Sequence, residues 1–191
     1  IKGIVKNIKM KKIIIILLVI ILLSIILIFS LNLPEKEIAK EQEIINNTEV
    51  IAQDLQIPWE IAFLPNNEIL VTERIGRLVK IGTNKEKIII NIPGVKHTGE
   101  GGLLGMALHP NFEQNKFIYL YLTTSLGEGT LNRVERYIFE DNQIKNKTII
   151  IDNIPGSAFH DGGRIAFGSD NLLYITTGDA GSSNLAQDTD S

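Results

Sequence analysis

One phrase, read three times along the chain, restricts the fold more than any other feature. It consists of an apolar triplet, a turn of Pro, Asn, Asp or Gly, and a strand ending in Thr. The copies run from Ile61-Ala62-Phe63 to Thr72-Glu73, from Met106-Ala107-Leu108 to Thr123, and from Ile165-Ala166-Phe167 to Thr176-Thr177. Their starts lie 45 and 59 residues apart. Four strands with their loops need roughly 40–50 residues, so this is the period of propeller blades, the longer interval absorbing an insertion. Short β-rich runs at Glu68–Glu73 and Lys116–Thr123 lie within the phrases and others at Arg77–Ile81, Lys87–Ile92, Arg133–Phe139 and Thr148–Ile151 between them, and only strands recur so closely. The expectation is an all-β domain over residues 50–191 with about three blades. Each blade covers its neighbour's apolar face and three cannot close a ring, so this segment is expected to be incomplete as a folding unit.

A second feature precedes the domain. From Ile13 to Leu31 the chain is apolar except at Ser24 and Ser30, and at about 1.5 Å per helical residue such a run spans roughly 28 Å, close to a bilayer's hydrocarbon core. Lys2, Lys6, Lys9, Lys11 and Lys12 come before it with no acid, and Glu35, Lys36, Glu37, Lys40, Glu41 and Glu43 after it. The positive-inside bias therefore predicts a cytoplasmic flank at 1–12, a transmembrane signal anchor at 13–33, a polar linker at 34–49 and a domain outside the membrane. The alternative is a cleaved secretory signal with its n-region at Met10-Lys11-Lys12; against it, the run exceeds about 7–15 residues and Leu31-Asn32-Leu33-Pro34 lacks the small residues of a cleavage site. Both readings export the domain. The chain begins at Ile1 and stops at Ser191, just after a Gly-rich turn, which reads as a piece of a longer protein with Met10 as its start.

With no cysteine, the chain has no disulfide framework, thiolate metal site or lipoprotein anchor. The net charge is −3, and the first twelve residues are basic, so the remainder is distinctly acidic, which argues against a nucleic-acid surface. Any chemistry falls to histidines and carboxylates.

His160 is the first candidate. It stands in Gly156-Ser157-Ala158-Phe159-His160-Asp161-Gly162-Gly163-Arg164, a loop directly before a strand, with two glycines that permit close approach of a backbone or planar ligand. Imidazole titrates near neutral pH, which suits a general base; a structural hydrogen bond is the other reading. Asp179, in Thr177-Gly178-Asp179-Ala180-Gly181, ends the strand expected to pair with the one His160 precedes. It could fix the imidazole tautomer or close its own Asx turn. Glu100 is the polar residue of the glycine-dense Gly99–Gly105 loop, which matches no phosphate motif and could reflect turn geometry alone. His97, His109 and Trp59 read as structural, and no histidine pair has the spacing of a metal site.

Taken together, Ile57-Pro58-Trp59-Glu60-Ile61-Ala62-Phe63-Leu64-Pro65, Thr72-Glu73-Arg74-Ile75-Gly76-Arg77-Leu78, Gly99-Glu100-Gly101-Gly102-Leu103-Leu104-Gly105 through His109-Pro110, and His160-Asp161-Gly162-Gly163-Arg164 followed by Thr176-Thr177-Gly178-Asp179-Ala180-Gly181 resemble the glucose/sorbosone dehydrogenase family, in order over Gln56–Asp188. The resemblance implies a six-bladed propeller that uses pyrroloquinoline quinone and calcium to oxidise an aldose, as in the soluble aldose dehydrogenase type. It implies that His160 is the general base, that Asp179 orients it, and that Glu100 and Asp161 lie at the substrate and cofactor. Glu100 stands where the glucose-oxidising branch has glutamine, which puts glucose itself in question. The resemblance places the groups that grip the quinone, and most calcium ligands, in later blades. A non-catalytic extracellular propeller and a propeller lactonase are the rival readings.

Overall fold

The computed structural model describes residues 17–29 and 48–184. The chain divides into two units, Ile1–Val50 and Ile51–Ser191. In the first, residues 17–29 form a helix with every side chain exposed. Among the described residues no helix is long and apolar enough to cross a membrane. The remainder of the expected span 13–33, the flank 1–12 and positions 34–47 of the expected linker lie outside the described residues.

The second unit holds ten antiparallel strands among its described residues. The first sheet is the meander β1 (Pro58–Phe63), β2 (Ile69–Glu73), β3 (Arg77–Ile81) and β4 (Lys87–Asn91). The second repeats it with β5 (Leu103–Leu108), β6 (Phe117–Leu126), β7 (Gly129–Glu140) and β8 (Gln143–Pro155), and β9 (Gly162–Phe167) pairs with β10 (Leu173–Thr177) in a third. The first strand of each sheet meets the first strand of the next, β1 against β5 and β5 against β9. Successive meanders stacked in this way are propeller-type blades: two complete ones and the inner pair of a third.

The stacking explains why β6 reads as an unbroken apolar run. Successive side chains on a strand point to opposite faces. Ile118, Leu120 and Leu122 join Leu70 and Leu78 of the first sheet in one core, while Tyr119 and Tyr121 join Ile165 of β9 in another. A strand buried on both faces has no polar side to show. The outer face of the first sheet, Val71, Val79 and Ile81, is covered by Ala52 and Leu55 from the segment before β1. Trp59 packs against the second core, as expected of a blade residue.

Polar groups also tie the blades together. The Thr72 hydroxyl donates to the Leu104 carbonyl at 2.7 Å and accepts from the Glu60 amide at 3.0 Å, joining β2, β1 and β5. Glu73, fully buried, accepts from the Gln56 amide and from Arg77, both at 2.6 Å. A buried carboxylate survives only when partnered in this way.

Two expectations are corrected. The longer second interval owes its length mainly to its strands: β6, β7 and β8 have 10, 12 and 13 residues against five each for β2, β3 and β4. Bulges along β7 and β8 accommodate that length without losing the pairing. A helical turn at Phe112–Asn115, which strand periodicity does not reveal, buries Phe112 under the core between the first two sheets.

Leu120 has no exposed surface, whereas Ile150 on β8 is 42% exposed. Leu120→Ala should therefore cost about 2–5 kcal/mol and Ile150→Ala less than about 1 kcal/mol, read from denaturant midpoints of the folded protein.

Candidate functional site

Strand direction decides which loops meet. β5 and β9 start at one rim of the blades, and β10, antiparallel to β9, ends there. The connection before β5 carries Glu100, the connection before β9 carries His160, and the segment after β10 carries Asp179. Three stretches far apart in sequence thus reach one place, and hydrogen bonds join them.

His160 Nδ1 lies 2.9 Å from Asp179 Oδ1. An ionised carboxylate can only accept, so this contact places the proton on Nδ1 and leaves Nε2 with a free lone pair. The imidazole side chain is 57% exposed and Asp179 only 15%. Asp179 Oδ1 also accepts the Gly181 amide at 2.8 Å. These two bonds, the one from His160 foremost, hold the Asp179 carboxyl below its ordinary value of 3.8. Phe159 sets its ring edge-on to the imidazole at 5.1 Å.

The His160 backbone adopts φ +62°. A left-handed conformation is uncommon outside glycine and persists where the surroundings over-determine it. Here the His160 amide donates to Glu100 Oε2 at 2.8 Å, and its carbonyl accepts from the Ala180 amide at 3.2 Å. The Glu100 amide in turn donates to the Ala158 carbonyl at 2.8 Å. Gly178 permits this closeness, since a Cβ there would sit 1.7 Å from the His160 carbonyl oxygen.

Asp161 is placed differently from the other three. It is 2% exposed, and its Oδ1 accepts Asn132 Nδ2 at 2.9 Å and the Ser157 amide at 3.0 Å. Its Oδ2 is buried without a partner. The carboxylate faces the protein, so its place in the structure is behind His160, against the second sheet. Of the two close approaches expected at Gly162 and Gly163, a backbone or a planar ligand, the structure shows that of the protein itself. A Cβ on Gly162 would meet the backbone of Thr177 and Gly178, and one on Gly163 would meet Leu104 and Tyr121, so both glycines make room for neighbouring strands.

His109 is a structural residue, accepting from the Asn111 amide at 3.0 Å and stacking on Tyr119. His97 sits with its Nε2 3.4 Å from Arg74 Nη2. A cavity of about 580 Å³ opens at the opposite rim, lined by Leu64, Phe112, Lys116 and Phe139 with acidic side chains around it. It holds no histidine, and its Glu140 and Asp141 are engaged by Lys145. Among the described residues no group of three or more His, Asp or Glu could hold a metal ion. Asn132 and Tyr121, which contact the His160 loop from the second sheet, escape a reading by motif. Asn132 lies just before the strand run read at Arg133–Phe139, and only the structure places it inside β7.

A model of the glucose/sorbosone dehydrogenase family matches residues 55–191. The chain is 28% identical over 167 residues to quinoprotein glucose dehydrogenase B of Acinetobacter calcoaceticus, covering 81% of this chain and 35% of that protein. It is 30% identical over 152 residues to the aldose sugar dehydrogenase YliI of Escherichia coli, covering 75% and 41%. The structure of the PQQ-bound aldose sugar dehydrogenase of Streptomyces coelicolor superposes with a TM-score of 0.68 at 34% identity, covering 73% of this chain and 43% of that one. The chain therefore spans 35 to 41% of the length of these two curated relatives.

Because the Asp179 pKa is lowered on folding, its contribution to stability is present above the unfolded value and disappears as pH falls through the folded one. A carboxyl carbon NMR titration should find the Asp179 midpoint below 3.8, and His160→Ala should return it toward that ordinary value.

Proposed function

Since the chain belongs to the glucose/sorbosone dehydrogenase family, we propose that it works in a six-bladed quinoprotein that oxidises an aldose at its anomeric carbon by hydride transfer to pyrroloquinoline quinone. The observation that supports this most is the exposed imidazole whose tautomer is set by Asp179.

His160 Nε2 takes the proton of the sugar's anomeric hydroxyl. Asp179 keeps the ring oriented and stabilises the imidazolium that results, because the carboxylate stays ionised well below neutral pH. Glu100 uses Oε2 to hold the His160 amide, which leaves Oε1 for a sugar hydroxyl. The quinone, when bound, supplies the two-electron acceptor that no side chain provides. The described residues fit the sugar side of such a site, with a base that is open to solvent and already oriented. Asp161, buried, serves as support for the His160 loop. Calcium, which the family resemblance implies, is assigned to no described residue.

Export follows from the apolar run at 13–33 with lysines before it and glutamates after it, which we read as an anchor in the cell membrane with the blades outside. Substrate and acceptor then meet the protein in the extracytoplasmic space.

Full-length protein supplied with pyrroloquinoline quinone and calcium should reduce a dye in the presence of aldoses. His160→Gln should lower kcat by about 10²–10⁴-fold with the circular dichroism unchanged; turnover at the parent rate would refute the assignment. If the folded parent binds no quinone, a recognition propeller of the same fold becomes the better reading. Glu100→Gln keeps an acceptor for the His160 amide, so kcat should hold while KM for the preferred sugar rises about tenfold, the size of one hydrogen bond.

A further inference from the structure

We infer that Asn132, on β7 of the second blade, is a positioning residue for His160, acting through the buried Asp161 carboxylate with help from Tyr121. The inference rests on the reading of His160 as the base and adds residues that no motif marks. Asn132 is fully buried, and both polar atoms of its amide are engaged. Its Oδ1 accepts the Thr123 hydroxyl at 2.7 Å, and its Nδ2 donates to the Pro155 carbonyl at 3.0 Å and to Asp161 Oδ1 at 2.9 Å. These contacts fix which end of the amide is oxygen and leave it no freedom to turn.

Asp161 transmits that rigidity to its neighbour. Its Oδ1 gathers Asn132 and the Ser157 amide, closing the loop 157–161 around His160. Its backbone carbonyl accepts the Tyr121 hydroxyl at 2.8 Å. Burial, followed by the nearby Asp161 charge, raises the Tyr121 pKa, so the phenol remains a donor at any working pH. With Oδ2 unpartnered, Asn132 is the only side chain among the described residues bonded to the Asp161 carboxylate. His160 next to it holds φ +62°, and its ring is exposed, so the angle at which it meets Asp179 depends on the loop that carries it. The second blade supplies that constraint from beneath.

The test uses Tyr121→Phe, which removes one hydroxyl and keeps the ring, and Asn132→Ala. In quinone-free full-length protein, the ring-nitrogen NMR shifts of His160 should pass from a single Nδ1–H tautomer to a mixture in both variants. In the quinone-loaded protein kcat should fall about 10–100-fold, the scale of a small misplacement of a catalytic group, with KM for the sugar little changed. An unchanged tautomer, or a loss of activity that only tracks the folded fraction, would overturn the inference. If Asn132→Ala does not fold, Tyr121→Phe decides. Turnover retained in His160→Gln would remove the base assignment, while the tautomer measurement would still decide whether Asn132 and Tyr121 position the ring.

Discussion

The burial of the second sheet on both faces is the constraint on which everything else depends. Leu120 and Leu122 face the first sheet, and Tyr121 faces the third. A sheet packed on two sides has its register set twice, because a slip of one residue would send every side chain to the wrong neighbour. The blades therefore hold a defined order and angle. The hydroxyl of Thr72, bridging β1, β2 and β5, adds a directional link where apolar contact alone would permit sliding.

The site is a consequence of that order. Glu100, His160 and Asp179 come from loops before β5, before β9 and after β10; the β9–β10 hairpin brings the last two together, and Glu100 joins them from the neighbouring blade. Glu100 bonds the His160 backbone from sixty residues away, and Asp179 bonds its ring from nineteen. One carboxylate governs where the residue sits and the other how its ring is protonated. The Glu100 contact requires the blades to be stacked first, since an isolated β9–β10 hairpin would leave the left-handed His160 without that support.

Burial separates the three carboxylates by task. Asp179 is largely shielded and stays ionised through its hydrogen bonds, while Glu100 is exposed and keeps one oxygen available. Asp161, next to His160, points the other way, into a network with Asn132, Thr123 and Tyr121 that belongs to the blade. Adjacent residues His160 and Asp161 thus look to opposite sides of the same loop, the first to solvent and the second to the core.

Much of this was legible in the sequence. The blade period, all ten strand runs and the pairing of the strands beside His160 and Asp179 follow from alternation, turn residues and repetition, which are local properties of a chain. Lone positions were harder. Asp161 lies inside a motif and looked available to a ligand, yet it is buried, because side-chain direction depends on which neighbour the loop packs against. The long β6–β8 meander looked like an insertion because strand ends are set by partners across the sheet. Asn132 carried almost no signal, since its worth lies in three contacts made by folding. Sequence by itself determined the strands, their repeat and the residue types at the rim, because periodicity and composition are written residue by residue. The β9–β10 hairpin already pointed to Asp179 as the partner of the imidazole ring; only the tertiary structure decided that Glu100 meets the His160 backbone and that Asp161 stays within, because those choices are made by long-range packing and hydrogen bonds across blades.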